Sequence, residues 1–531
     1  MKTKLILLVL FIGTCNLSFS QKDHFKDAEI AFYNEKFVTA IDSYKKAEVR
    51  TKSAQVKGEI NFKIALCYAQ MLDIAQAEVY LERAEKLKFK SKEPKLVLRM
   101  AEVLMQQGEY ENAAELFQEY LKLIPDDKWT KTKLKSCEIQ MTNPMLPDES
   151  RYIFQGEIQL NSDFYDYSSS FADKKQNTLL FASTRPGSTG DDLDDRTGQS
   201  FSDIWMTTRD NKGKWAEPVL LPEEINTPHN EGTPAMVEKE DRLYFTRCNV
   251  IPKENIGCSI YYSERKGNRW TIAEEISLKP EGADSLSCGH PTLNKNGDLM
   301  IFAADLPSGF GGKDLWITHY DKKEKSWKTP INLGPTINTI GDDVFPYLDE
   351  DNNLYYSSNG RIGLGGLDLY KALATEEEDV WEEPELLPAP LNSCRDDFGI
   401  LLESENRGFL SSNRSGGKGM DDLYSFNLKQ IKITSECYVL SKENGEPIPY
   451  ANIVLTSSDQ EIYEVTANEN GYFKFDEVNK MKRYFDQEKN YSFVVSAPAH
   501  AEASSKISTI GLETSKKFYR GVCSFPYSQA Y

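Results

Sequence analysis

Five times along the chain a triplet recurs in which an acidic or hydroxyl residue precedes an aliphatic and then an aromatic one. The copies are Asp203-Ile204-Trp205, Ser259-Ile260-Tyr261, Asp314-Leu315-Trp316, Asp368-Leu369-Tyr370 and Asp422-Leu423-Tyr424, spaced 56, 55, 54 and 54 residues apart. A period held over five copies constrains this chain more than its composition does, because each unit must be one supersecondary element packed on its own copies. Upstream of each triplet runs an apolar segment ending in small or polar residues: LLFASTR (179–185), LYFTRC (243–248), MIFAAD (300–305), LYYSSNGR (354–361) and GFLSSNR (408–414). Downstream of the first four comes a tryptophan, Trp215, Trp270, Trp327 or Trp381, and all but Trp270 lie three residues before a proline. The turns after Trp215, Trp327 and Trp381 enter LPEEINT, LGPTINT and LPAPLNS.

Units of this length, built from short antiparallel strands with Trp and Tyr wedged between neighbouring sheets, predict the blades of a β-propeller over 150–430. Five blades are countable. The fifth lacks a Trp strand of its own, whereas IFQGEIQL (153–160) stands unpaired before the first, so that segment is expected to complete the last blade and close the ring. The register of these features resembles the PD40 repeat, also described as WD40-like or TolB-like.

A different period governs 21–141. Ala40, Ala77 and Ala113 lie 37 and 36 residues apart within helical apolar patterns, accompanied by Tyr44, Leu81 and Phe117. Small residues there let two antiparallel helices approach closely, and the pattern resembles the tetratricopeptide repeat (TPR), which implies an α-solenoid. TNPMLPDES (142–150) reads as a linker. After Leu428, the runs GEPIPYANIVL (445–455), TANENGYFKF (466–475) and YSFVVSAPAH (491–500) alternate as half-buried strands do. They resemble the carboxypeptidase regulatory-like domain, a small β-sandwich, placed at 431–510 with 511–531 left as a short tail. The fold class is thus multidomain, α then all-β.

Lys2 and Lys4, the apolar run Leu5–Ile12, and Ser18 and Ser20 before Gln21 read as a secretory signal peptide over 1–20. Cys15 follows Ile12-Gly13-Thr14, a poor lipobox, so cleavage after Ser20 is expected in preference to lipidation. No apolar run has the ~20 residues of a membrane span. The expected place is the periplasm or the periplasmic face of the outer membrane. Export permits disulfides; Cys248 and Cys258 flank an expected strand-loop-strand connection and are either bridged or free thiols. Eighty-two Asp plus Glu against 63 Lys plus Arg give a net charge of -19, which disfavours nucleic acid and anionic lipid.

Catalytic signatures are missing: there is no His-Glu-x-x-His, no Gly-x-Ser-x-Gly and no P-loop, and His24, His229, His290, His319 and His500 are scattered. No catalytic residue, cofactor or firm metal site is therefore expected. Asp203, Asp314, Asp368 and Asp422 recur once per unit, which favours a structural role accepting backbone N–H groups over a single active site. Asp191, Asp192, Asp194 and Asp195 form an acidic loop that could hold Ca²⁺ but reads first as a solvated loop.

The order signal peptide, TPR, PD40 propeller and carboxypeptidase regulatory-like module resembles Bacteroidota envelope proteins of the OmpA family, including the PorE-type component of type IX secretion. The resemblance implies a non-catalytic scaffold binding envelope proteins, among them an outer-membrane barrel of the PorP/SprF type, in type IX secretion or surface-protein assembly. The family's C-terminal OmpA-like domain, which grips peptidoglycan, is not seen before Tyr531, so direct peptidoglycan binding is not expected. The alternative reading is a glycan-binding or sensing module.

Overall fold

The computed structural model describes residues 23–525, except 92, 146–151, 191, 238–240, 251–255, 268, 405, 429–432, 477–483, 487–488, 511 and 513–515. The expected signal peptide and Cys15 lie outside the described residues, as does most of the expected linker. The chain divides into two compact units, one holding the helices and five sheets, the other the C-terminal strands.

Seven helices open the first unit: α1 (His24–Tyr33), α2 (Phe37–Arg50), α3 (Ala54–Gln70), α4 (Ile74–Lys86), α5 (Lys95–Gln106), α6 (Tyr110–Leu123) and α7 (Lys128–Thr142). Asp23, Ser53, Asp73 and Asp127 cap helix starts by accepting backbone N–H groups. Ala40, Ala77 and Ala113 have no exposed surface, and Ala28, Ala65 and Ala101, at 0–1% exposure on the preceding helices, belong to the same buried clusters. That is the close contact within pairs α1–α2, α3–α4 and α5–α6. Each pair turns through a left-handed residue, Glu35, Leu72 or Gly108, again 37 and 36 residues apart. Only the third is a glycine, the residue that adopts this conformation without steric cost.

Five antiparallel sheets follow. The first runs Asp166–Phe171, Thr178–Ser183, Asp203–Thr208 and Val219–Leu220; the second Asn230–Val237, Arg242–Cys248, Ser259–Lys266 and Glu274–Glu275. The third runs Cys288–Leu293, Leu299–Ala304, Asp314–Asp321 and Ile331–Asn332; the fourth Asp343–Leu348, Leu354–Ser358, Asp368–Ala372 and Glu385–Leu386. The fifth runs Asp397–Ser404, Arg407–Ser412 and Asp422–Leu428, and its outer strand is Tyr152–Gly156 from before the first sheet. Phe154 of that strand stacks on Tyr424, with centroids 5.3 Å apart. The inner strand of each sheet lies against that of the next, and the fifth returns to the first. Because both faces of a sheet meet neighbours, the second strands are buried along their length, not on alternate residues.

The tryptophans fill the gaps between sheets. Trp215 of the first sheet meets Phe409 of the fifth at 6.1 Å, Trp327 of the third meets Tyr244 of the second at 6.1 Å, and Trp381 of the fourth packs into the cluster it shares with the third. Half-buried Trp270 packs against the cluster joining the first and second sheets. Cys248 and Cys258 form a disulfide across the second sheet.

The helices are fastened to one edge of these sheets through their turns. Val38 N–H donates to the Asp195 carbonyl at 3.0 Å, Thr39 donates to the Asp195 carboxylate, and Glu35 pairs with Arg196 at 3.0 Å. The Tyr165 hydroxyl donates to Met71 O at 2.8 Å, and the Tyr110 hydroxyl to Leu364 O at 2.9 Å. From α7, buried Lys133 donates to Gly365 O at 3.2 Å, and Ser136 Oγ accepts the Gly363 N–H at 3.1 Å. A Cβ on Gly365 would stand 2.3 Å from the Cys394 backbone, which accounts for glycine there.

In the second unit, Ile462–Thr466, Asn452–Ser457, Asn490–Ser496 and Ala503–Ser508 form an antiparallel sheet. Tyr472–Phe475, Ile433–Ser441 and Lys516–Phe525 form a three-stranded one. A core containing Val439, Ile453, Leu455, Phe475, Phe493 and Val495 is shared by both sheets. Within the expected tail, Lys516–Phe525 is a strand, pairing in parallel with Ile433–Ser441. Tyr472–Phe475 occupies only one side of that strand, and the other side would otherwise present an unpaired edge.

Candidate functional site

The repeated carboxylates each open the third strand of their sheet, and one oxygen of each accepts backbone N–H groups, while Oδ1 of Asp203, Asp314 and Asp368 is buried without a hydrogen-bond partner. Asp203 Oδ2 accepts from Thr189 N; Asp314 Oδ2 from Phe310 N at 2.6 Å; Asp368 Oδ2 from Leu364 N and Gly365 N at 3.0 and 3.1 Å; Asp422 Oδ2 from Lys418 N and Gly419 N at 2.6 and 3.1 Å. All four are at most 1% exposed. Burial pushes the Asp203 carboxyl up to about 6 and that of Asp368 to about 7, the latter against the pull of Lys133.

A second repeated device lies in the connections between sheets. Asn161, Asn226, Asn338 and Asn392 each accept a backbone N–H and return an amide hydrogen to the same residue's carbonyl, at Leu423, Ile204, Leu315 and Leu369. The next residue, Ser162, Thr227, Thr339 or Ser393, donates its hydroxyl to an acid four positions on: Asp166, Glu231, Asp343 or Asp397. Arg185, Arg247 and Arg414 pair with the first, second and fourth of these acids. The Asn-Ser/Thr-x-x-x-Asp/Glu spacing is plain in the sequence once the acid is counted; INT and LNS were visible as turns, but not as clamps.

In the acidic loop, Asp194 is buried and accepts from Arg196 N and Asn230 Nδ2, both at 2.8 Å. Asp195 is engaged by Thr39, Asp192 is exposed, and Asp191 lies outside the described residues. The loop thus serves as a seat for α2. Among the described residues no group of three or more His, Cys, Asp or Glu converges as a metal site.

Along the ring axis each inner strand bulges at a left-handed residue, Ser168, Thr233, His290, Phe345 or Gly399, and the fifth shifts register a second time between Leu402 and Ser404. His290 stacks on Phe345 at 3.9 Å, and Phe345 meets Phe398 at 4.5 Å. Burial lowers the His290 imidazole to about 3, with Lys313 adding to the shift. The ring is therefore neutral, and its Nδ1 accepts the Phe345 N–H at 3.4 Å. Two cavities share Thr233 and His290. The larger, of about 780 Å³, is lined by inner-strand residues of all five sheets, including Ser169, Thr292, Tyr347 and Leu401. The smaller, of about 280 Å³, is lined by Tyr165, Tyr167, Asp194, Glu231, Lys313 and Asp421 among others.

No family model and no curated protein matches this chain. Among solved structures it is similar to TolB from Acinetobacter baumannii, at 13% identity over 56% of this chain and 69% of that one, with a TM-score of 0.29. It is also similar to the GH43 endo-arabinanase from Bacillus licheniformis (12%, 52% and 96%, TM-score 0.35) and to the α-L-arabinofuranosidase from Lactobacillus brevis (14%, 55% and 95%, TM-score 0.33). These likenesses concern the fold alone and say nothing of activity or ligand.

Proposed function

We propose that the protein is an exported, non-catalytic scaffold of the cell envelope, in which three TPR-like helix pairs are mounted on a five-bladed PD40-type propeller and a carboxypeptidase regulatory-like sandwich follows. The observation that carries this reading is the mounting itself. Residues at or just after the turn of all three pairs, together with α7, are anchored to loops between the strands of the five sheets, so the helices form a fixed layer instead of a swinging arm. A fixed helical layer carrying Ile30, Tyr33 and Val49 at 52, 84 and 87% exposure suits docking of another protein. The partner class is an envelope protein such as a PorP/SprF-type outer-membrane barrel, at the periplasmic face of the outer membrane.

The test is affinity purification from crosslinked native envelopes, using the full chain and a Tyr33→Glu, Val49→Glu variant. Recovery of a barrel or secretion components with the parent and their loss with the variant is expected. Recovery of no envelope protein by either would refute the scaffold. A second reading, glycan binding, is favoured by one observation: the 780 Å³ cavity presents Phe345, Tyr347 and Tyr355 beside polar groups, a lining on which a sugar can stack.

A further inference from the structure

The smaller cavity contains two opposite charges that the protein leaves unmatched. Asp421 is 6% exposed, and its Oδ1 is buried with no hydrogen-bond partner. Its acidic neighbours are all provided for: Asp422 by Lys418 and Gly419 N–H groups, Asp166 by Arg185 and Ser183, and Asp396 by Leu367 N and Asn413. Asp421 has no such support, and burial, with those three carboxylates adding to it, holds its carboxyl well above the usual range. A buried carboxylate in that setting must take a proton or a cation.

Lys313 lines the same cavity from the third sheet. Its backbone is fixed, the N–H to Asp342 Oδ1 at 2.9 Å and the carbonyl to Asp343 N at 2.7 Å, while its ammonium meets no acceptor among the described residues. Asp421 lies at the end of the fifth sheet and Lys313 just before a strand of the third, so the two line the cavity from different sheets. His290 accepts through Nδ1, which leaves its proton on Nε2 as a further donor of this lining residue. Tyr165 and Tyr167 line the cavity together with Asp421. A volume of about 280 Å³ is well beyond a single water at about 30 Å³ and suits a small solute.

We propose that this cavity binds a small zwitterion, a free α-amino acid or a short peptide, with its ammonium on Asp421 between Tyr165 and Tyr167 and its carboxylate on Lys313. An organic ammonium fits better than a metal ion because no set of three ligands converges there among the described residues. Asp194 and Glu231 do not compete for the ligand, being engaged by Asn230 and by Arg247 with Thr227.

The test uses the full-length protein in titration calorimetry and thermal-shift measurements with L-leucine and glycyl-L-leucine, against leucinamide, which lacks the carboxylate, and N-acetyl-leucine, which lacks the ammonium. Saturable binding of at least one zwitterion is expected, weakened about tenfold or more in the amide and in the acetylated compound, each of which loses one charge pairing. Lys313→Met and Asp421→Asn should each abolish it. Lys313→Met leaves the backbone bonds of that position in place, so it serves even if the Asp421 variant does not fold. Three results would overturn the proposal: no binding of either zwitterion at millimolar concentration, equal binding of the amide or the acetylated compound, or binding unchanged in Lys313→Met.

Discussion

The buried carboxyls make stability depend on pH in a direction that can be derived. Asp203 and Asp343 are raised to about 6 and Asp368 to about 7, each chiefly by burial, from an ordinary 3.8. Between about pH 4 and 7 the folded protein therefore holds protons that the unfolded chain has released. The stability these protons confer is complete below the unfolded value and is lost as pH rises through the folded one. Denaturant midpoints should fall from pH 5 to pH 8, and Asp203→Asn should flatten that fall; a slope unchanged in the variant would show that Asp203 does not titrate in this window. The aspartates were legible because they repeat beside aromatics. The five left-handed residues on the axis were not: Ser, Thr, His, Phe and Gly share no chemistry, and what repeats there is a backbone angle. The tryptophans were legible as periodic rings, yet their burial differs. Trp316 is 7% exposed, so Trp316→Ala should cost ~3–5 kcal/mol in chemical denaturation, and half-buried Trp327 less.

At the scale of elements, the helix pairs could be read from three alanines because close helix contact admits few side chains. Ala113→Glu would bury a carboxylate between α5 and α6 and should lower the helical melting temperature, at a cost on the order of 3 kcal/mol. Helicity and melting unchanged would refute that register. The clamps between sheets make a parallel prediction. Asn392 closes both polar groups of Leu369 at 2.7 and 2.9 Å, so Asn392→Ala leaves a buried N–H and C=O unmet and should destabilise by about 1–3 kcal/mol. The strand Lys516–Phe525 escaped sequence reading for a definable reason: its partner, Ile433–Ser441, is more than 70 residues away, and parallel pairing leaves no hairpin signature.

At the scale of the molecule, the attachment of the helices to the ring was invisible in the sequence, since it is made by single atoms far apart in the chain, Tyr110 to Leu364 or Lys133 to Gly365. Lys133 is the buried charge among these contacts. Burial holds its ammonium below the usual range, while Asp368 and Asp396 favour the charged form. Removing it leaves the buried Asp368 and Asp396 without the favourable charge that Lys133 supplies, which should weaken the attachment. In the parent, helical circular dichroism and the fluorescence of the tryptophans, all but Trp129 in the sheets, should melt together, because helices and ring are one compact unit. In Lys133→Ala the helical signal should melt first. The separation should be wider at pH 8 than at pH 5, because Asp368, with its carboxyl at about 7, takes up a proton at the lower pH and no longer needs the lysine. Coincident melting of the variant at both pH values would mean that the contacts of α2, Tyr165 and Tyr110 hold the helices without it.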